Sequence, residues 1–185
     1  MDTKATIIVL NGAGSSGKSS IARALQTITA KPCLHVAMDT FLEMLPEVLQ
    51  DHPDTFDFLE IVEDGAPSVQ IAIGPVGERL LRGMRAAIAA LANEGNNLVV
   101  DDVMLDGEAS EYRRLLRSHD LHFVGVHAPL EILEVRERER GDRMIGLARW
   151  QFERVHRNVE YDLVVDTGLA DPASCAEQIR TRFHL

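Results

Sequence analysis

The chain has 185 residues, a formal net charge of −10 at pH 7 and 45% hydrophobic residues. This length and composition are typical of one globular domain. The negative charge argues against a nucleic-acid partner, because clustered positive charge binds nucleic-acid phosphates. No apolar run approaches the roughly 20 residues that span a membrane. The N-terminus leads into an apolar strand without a secretion signal, so a cytoplasmic location with no membrane partner is expected.

The first predicted element is a strand over about 6–11, followed by a glycine-rich loop and a helix. The strand is apolar and β-branched, which is typical of a buried strand. The loop fits the pattern G-x-x-x-x-G-K-[ST], in which backbone N–H groups and a helix N-terminus bind phosphate. In such a loop Lys18 reaches the β and γ phosphates, and the Ser19 hydroxyl can ligate Mg²⁺. The predicted nucleotide-binding residues are Gly12, Ala13, Gly14, Ser15, Ser16, Gly17, Lys18, Ser19 and Ser20.

The second strand is predicted over 34–38, and Asp39 follows it directly. Because ligands of parallel sheets bind beyond the carboxyl ends of the strands, Asp39 should lie near the phosphate loop. There its carboxylate can accept the proton of a substrate hydroxyl. The position also suits an N-cap for the helix that begins at Thr40, and the two interpretations are compatible. His35, within the strand, is interpreted as a core residue whose polar atoms are satisfied.

Residues 51–74 are punctuated by proline and glycine, and we expect a long, functional connection that shapes the acceptor site. An amphipathic helix is predicted over 76–94 and a strand over 97–101. Asp101 and Asp102 end this strand, and an acid at such a place commonly holds Mg²⁺ in phosphate-loop proteins. Consecutive side chains of a strand point in opposite directions, so the choice between the two acids stays open.

The rest of the chain continues the alternation of helices and strands. Helices are predicted over about 107–118, 129–140, 147–157 and 172–183, and strands over 121–126 and 163–166. Five parallel strands covered on both faces make a three-layer α/β/α sandwich of the P-loop NTPase type, with right-handed crossovers. The whole chain is predicted to be one domain of this type. Apolar residues near the acids line either an acceptor pocket or the core: Phe41, Met44, Phe56, Phe58, Val103 and Met104.

Three arginines, Arg136, Arg140 and Arg143, lie at positions i, i+4 and i+7 of the charged segment 134–143. A solvated helix face with i,i+4 ion pairs is one explanation of this segment. Three like charges on one stripe also suit an anion such as a triphosphate, which relieves their repulsion. We predict a mobile lid over about 136–146 whose arginines stabilise the transferring phosphate.

Five short motifs follow one another along the chain. They are Val9-Leu10-Asn11-Gly12 before the loop, Met38-Asp39 with Phe41-Leu42-Glu43, Val100-Asp101-Asp102-Val103, Arg140-Gly141-Asp142-Arg143 and Val159-Glu160-Tyr161-Asp162. This ordered set resembles the chloramphenicol phosphotransferase-like family of P-loop kinases nearly end to end. The resemblance implies ATP-dependent phosphorylation of a primary hydroxyl. It also implies Asp39 as the base and Arg140 and Arg143 as lid arginines.

The leading hypothesis is therefore a small-molecule kinase that uses ATP and Mg²⁺ on a hydroxylated acceptor, with antibiotic resistance by inactivation as its role. A kinase of another metabolite, such as a sugar nucleotide, shares the phosphate loop and differs in its acceptor. A nucleotide-dependent switch is a third alternative, although the sequence has no Asn-Lys-x-Asp motif to read guanine. A monomer and a dimer through the helix at 76–94 both stay open.

Overall fold

The computed structural model describes residues 4–105, 107–141 and 144–185. Its strands are β1 (Thr6–Asn11), β2 (Cys33–Ala37), β3 (Phe56–Glu63), β4 (Ala66–Ile73), β5 (Asn97–Asp102), β6 (Asp120–His127) and β7 (Leu163–Asp166). Its helices are α1 (Lys18–Ile28), α2 (Met38–Leu42), α3 (Pro75–Asn93), α4 (Glu108–Leu115), α5 (Leu130–Arg140), α6 (Leu147–Arg154) and α7 (Pro172–Phe183). Five strands form one parallel sheet in the order β2-β5-β1-β6-β7. The predicted fold class is confirmed.

The two faces of the sheet are buried under different helices. Side chains alternate along a strand, so Ile7 and Val9 of β1 face one side, and Ile8 and Leu10 face the other. The first pair belongs to the core formed with α3 and α4, and the second pair to the core formed with α1 and α7. All four side chains are almost completely buried. The central strand therefore carries the phosphate loop from a position that is packed on both sides.

Residues 51–74 differ from the expected connection, because most of them form an antiparallel hairpin of β3 and β4. Its turn is Asp64-Gly65, and the φ angles of these two residues are 52° and 76°. A type I′ two-residue hairpin turn needs positive φ at both positions, and Asp-Gly is among its favoured sequences. The sequence prediction missed both strands.

The helical segment after β2 is short and is interrupted before Pro46. The helix α2 ends at Leu42, and Pro46 precedes a separate 3-10 turn over Glu47–Leu49. Proline lacks the N–H that a continuing helix needs, so it separates the two pieces. In the three ranges that the structure covers, no helix is long and apolar enough to cross a bilayer.

Candidate active site

The phosphate loop joins β1 to α1 at the carboxyl edge of the sheet. Ser15 and Gly17 have φ angles of 63° and 93°, and such turns direct successive N–H groups into one concavity. Gly12 has no room for a side chain, because a Cβ there would lie 2.4 Å from the carbonyl oxygen of Val126. The helix α1 begins at Lys18, so the unpaired N–H groups of its first turn adjoin the loop. The loop thus has the backbone of an anion site.

Lys18, Ser19 and Asp101 form a connected polar group beside this loop. Lys18 Nζ donates to two carbonyl oxygens of the loop at 2.8 and 3.0 Å and lies 3.7 Å from Asp101 Oδ1. Ser19 Oγ donates to Asp101 Oδ2 at 2.5 Å. Burial raises the pKa of Asp101, but the Lys18 charge, the nearby His35 imidazole and the hydrogen bond from Ser19 outweigh it and hold the pKa below its usual value. An ionised carboxylate next to a hydroxyl is a donor set that suits Mg²⁺.

Asp102 faces the opposite side of the sheet. Its carboxylate accepts hydrogen bonds from Tyr112 Oη at 2.7 Å and from the Val103 N–H at 2.8 Å. Burial raises the pKa of this carboxyl group, and the side chain does not line the cavity beside the loop. Of the two acids predicted as metal ligands, Asp101 is the one that adjoins Ser19, and Asp102 is a buried partner of Tyr112.

One cavity of about 920 Å³ is lined by the phosphate loop, by α2 and by the hairpin. Asp39 lines it together with Lys18, Ser19 and Asp101. Asp39 is the second residue of α2, and the N-cap position belongs to Ala37, with no side-chain capping hydrogen bond. The capping interpretation of Asp39 is therefore wrong, and its carboxylate lies at the edge where the sequence placed it.

Two of the three predicted lid arginines, Arg136 and Arg140, line the cavity, and Arg143 lies outside the described residues. Arg136 donates to Thr167 Oγ1 at 2.9 Å and to the Thr167 carbonyl oxygen at 2.8 Å. Thr167 Oγ1 in turn donates to a carbonyl oxygen of the phosphate loop at 2.8 Å. The helix α5 ends at Arg140, because Gly141 follows it with a φ of 67°. The helix that carries Arg136 and Arg140 therefore ends within the predicted lid.

The hairpin supplies an apolar wall of the cavity. Phe56 and Phe58 of β3 stand opposite Ile73 and Ile71 of β4, so the four side chains share one face of the hairpin. All four line the cavity, as does Leu81 of α3. Of the apolar residues predicted near the acids, Phe56, Phe58 and Val103 line the cavity, whereas Phe41, Met44 and Met104 do not.

Sequence reasoning missed three polar residues of the site. His35 Nε2 lies 3.8 Å from Asp101 Oδ2, so this histidine adjoins the site. Thr167 links Arg136 to the loop, and Gln151 Oε1 accepts a hydrogen bond from the Gly14 N–H at 2.7 Å. Thr167 gave a positional signal, since it directly follows an apolar strand. Gln151 gave no local signal, because 137 residues separate it from Gly14.

A histidine pair lies behind the loop. His156 stacks on His127 with ring centroids 3.9 Å apart, and its Nδ1 lies 2.7 Å from Tyr161 Oη. Asn11 Nδ2 donates to the same hydroxyl at 2.7 Å. The Tyr161 hydroxyl is therefore the acceptor toward Asn11 and can donate its own proton to His156 Nδ1. Burial, followed by the charges of His127 and Lys18, lowers the pKa of His156 to about 4. The folded protein therefore holds this imidazole neutral.

Acid should destabilise the fold through His156. In the unfolded chain this histidine binds a proton near pH 6.5, whereas in the folded protein it does so only near pH 4. Between these two pH values protonation favours the unfolded chain, so the free energy of unfolding decreases as the pH falls. We expect the free energy of unfolding to fall by about 1–2 kcal/mol. This is less than the full pKa difference would give, because the ring is partly exposed to solvent. Urea unfolding at pH 7 and 4.5 should show a smaller acid loss for His156→Gln than for wild type or for the exposed-histidine control His184→Asn. Equal losses in all three proteins would contradict this assignment.

The parallel sheet, the loop after its first strand and the adjoining cavity define an α/β protein of the P-loop kinase class. The fold is similar to that of a sugar kinase from Janibacter, with a TM-score of 0.64 and 19% identity, over 97% of this chain and 95% of that chain. It is also similar to the Mycobacterium tuberculosis APS kinase CysC, with a TM-score of 0.63 and 16% identity, over 98% of this chain and 99% of that chain.

The sequence places the protein more narrowly. A family model of chloramphenicol phosphotransferase-like proteins matches residues 5–184. A Mycobacterium tuberculosis protein provisionally named an O-phosphotransferase is 32% identical over 183 residues, which cover 96% of this chain and 81% of the relative. The chain belongs to the chloramphenicol phosphotransferase-like family, as the ordered motifs predicted, and it is a phosphotransferase of the P-loop kinase fold.

Proposed function

We propose that this protein transfers the γ-phosphate of ATP to a hydroxyl group of a small uncharged molecule, with chloramphenicol or a similar antibiotic as the acceptor. The observation that carries the proposal is that one cavity joins the phosphate loop to the apolar face of the hairpin, with Asp39 on its wall. A switch or a simple hydrolase needs a nucleotide site alone. An apolar compartment beside a carboxylate adds a place for an acceptor hydroxyl.

The nucleotide end of the cavity suits a triphosphate. The N–H groups of the loop and the first turn of α1 would bind its phosphates, and Lys18 would add a positive charge. Arg136 and Arg140 line the same cavity and would add charge near the transferring group. Ser19 and Asp101 would hold Mg²⁺, whose charge neutralises the β and γ phosphate oxygens when it is bound.

Asp39 would act on the acceptor. Its carboxylate would accept the proton of the acceptor hydroxyl while that oxygen forms a bond to the γ-phosphorus. The bond between the γ-phosphorus and the oxygen of the β-phosphate breaks, and ADP leaves. Positioning and electrostatic stabilisation supply most of the catalysis in such a transfer.

The apolar part of the cavity lining favours an acceptor without a negative group. This part consists of the hairpin face and Leu81. The charged residues of the described lining have both signs: the acids Asp39, Asp101, Glu108, Glu139 and Asp171, and the basic residues Lys18, Arg23, Arg136 and Arg140. An anionic acceptor bound against the apolar hairpin face would lose its hydration there, which costs free energy. A neutral aromatic or aliphatic alcohol avoids this cost.

Acceptor-dependent ADP release tests the proposal. With MgATP present, chloramphenicol should raise the rate of ADP release above the basal rate, and gluconate, a polyol with a carboxylate, should not. Stimulation by gluconate together with none by uncharged alcohols would contradict the proposed acceptor class. Stimulation by a sugar nucleotide, whose phosphates are negatively charged, instead of chloramphenicol would contradict the uncharged acceptor and would support a metabolite kinase over an antibiotic kinase.

A further inference from the structure

Gln151 contacts the phosphate loop through an interaction that the loop pattern does not require. It lies in α6, is 4% exposed, and its Oε1 accepts a hydrogen bond from the Gly14 N–H at 2.7 Å. Glutamine is usually exposed, and burial of its amide costs free energy unless the polar atoms find partners. The residues are 137 positions apart, so the contact is a product of the tertiary fold.

The contact explains the glycine at position 14, where the loop pattern allows any residue. A Cβ on Gly14 would lie 3.3 Å from Gln151 Oε1, which is tighter than an ordinary contact. Gly14 is not among the glycines with positive φ, so the backbone conformation itself does not demand glycine. The missing side chain instead allows Gln151 to reach the loop.

The helix α6 holds Gln151 in a fixed place. The carboxylate of Glu137, itself 2% exposed, accepts hydrogen bonds at 2.8 and 2.7 Å from two N–H groups at the start of α6. Just past its end, the carbonyl oxygen of Val155 accepts a hydrogen bond from Asn11 Nδ2 at 2.5 Å. Asn11 is the last residue of β1, directly before the loop. The helix that carries Gln151 is therefore tied to the strand that carries the loop.

We propose that Gln151 is a positioning residue that orders the phosphate loop before the nucleotide arrives. The inference rests on the proposed nucleotide site. Gln151 accepts a hydrogen bond from the Gly14 N–H and so fixes the first half of the loop. The N–H groups that follow Gly14 then already point into the phosphate site before the nucleotide binds. A site that is ordered in advance loses less conformational entropy on binding. Because Gln151 contacts the loop backbone, its loss should act on nucleotide affinity more than on the chemical step.

The variant Gln151→Leu removes the acceptor oxygen at similar side-chain size. We expect the Kd for Mg-AMPPNP, measured by titration calorimetry, to rise about tenfold, in line with the loss of one buried hydrogen bond. The KM for ATP should rise in parallel while kcat stays within about twofold, since the reacting atoms are untouched. Amide hydrogen exchange over residues 12–19 of the free protein should become faster.

Two further variants separate positioning from general damage. Arg154→Ala breaks the ion pair between α6 and Glu63 of the hairpin, whose atoms lie 2.7 Å apart, and it should leave nucleotide affinity unchanged. Gly14→Ala should weaken nucleotide binding in wild type and add little to Gln151→Ala, because both changes disrupt one contact. Should Gln151→Leu fail to fold, Gly14→Ala carries the same expected loss of affinity.

The outcomes distinguish the inference from the proposed function. Tight wild-type binding with unchanged affinity and exchange in Gln151→Leu overturns the role of Gln151 and leaves the nucleotide site intact. An equal loss of affinity in Arg154→Ala also overturns the role of Gln151, because loosening of α6 would then be enough to weaken nucleotide binding without loss of the Gln151 contact. Failure of the wild-type protein to bind Mg-AMPPNP overturns the proposed nucleotide site itself, and the role of Gln151 with it.

Discussion

Asp39→Asn is expected to lower the rate of phosphoryl transfer by about 10³-fold, within the range for loss of a general base. The amide keeps the size of the carboxylate and loses its ability to take the acceptor proton. Nucleotide binding should change by less than about twofold, because the phosphates are bound by the loop and Lys18. Single-turnover transfer and calorimetric titration with Mg-AMPPNP measure the two quantities separately.

Glu43→Gln is the matched control for Asp39. Glu43 immediately follows α2 at its C-cap and does not line the cavity, so the same loss of charge should leave transfer unchanged. Near-normal transfer by Asp39→Asn would contradict the base assignment. Loss of nucleotide binding along with transfer would also contradict it, because Asp39 would then support the site as a whole.

Lys18→Ala is expected to lower kcat/KM for ATP by about 10²–10³-fold, comparable to the removal of one electrostatic donor from an active site. Lys18 is 6% exposed, and its ammonium group bridges the loop carbonyls and Asp101. The variant removes the positive charge that faces the phosphates and also a contact that holds the loop closed. Steady-state kinetics with varied ATP measures the effect.

Lys4→Ala controls for the loss of a lysine. Lys4 pairs with Asp120 at 2.5 Å, and Asp120 begins β6 at the edge of the sheet opposite the phosphate loop. Its removal should leave kcat/KM for ATP unchanged. Wild-type kinetics for Lys18→Ala would contradict the role of the loop in nucleotide binding.

The sheet and the loop could be predicted because their signals are local. Apolar strands, amphipathic helices and the glycine pattern each occupy a short stretch of sequence, and the parallel topology follows from their alternation. The hairpin was missed although Asp64-Gly65 is a favoured turn sequence. Its prolines and glycines were interpreted as marks of a loop, and the alternation along 56–63 was not weighed against that interpretation.

The choice between Asp101 and Asp102 needed knowledge of the tertiary structure. Strand alternation predicts that the two carboxylates face opposite sides, but it does not say which side carries α1. Val99 packs in the core formed with α1, whereas Val100 packs in the core that contains Tyr112. Asp101 shares the side of Val99 and therefore meets Ser19.

Contacts that depend on the docking of separate elements were not predicted. Gln151 and His35 carry no motif, Thr167 carries only its position after a strand, and all three reach the site through the tertiary fold. Their roles depend on how α6, β7 and β2 dock around β1. Such docking is decided by side-chain packing over the whole core rather than by any short pattern.

The central claim is transfer of phosphate to an acceptor hydroxyl, and the product of that transfer tests it most directly. The protein is incubated with MgATP and chloramphenicol, and the products are identified by mass spectrometry and phosphorus NMR. We expect one ADP and one phosphate monoester on the drug for each ATP consumed. Release of inorganic phosphate, with no phosphate ester on chloramphenicol or on any other uncharged hydroxyl compound, would contradict it.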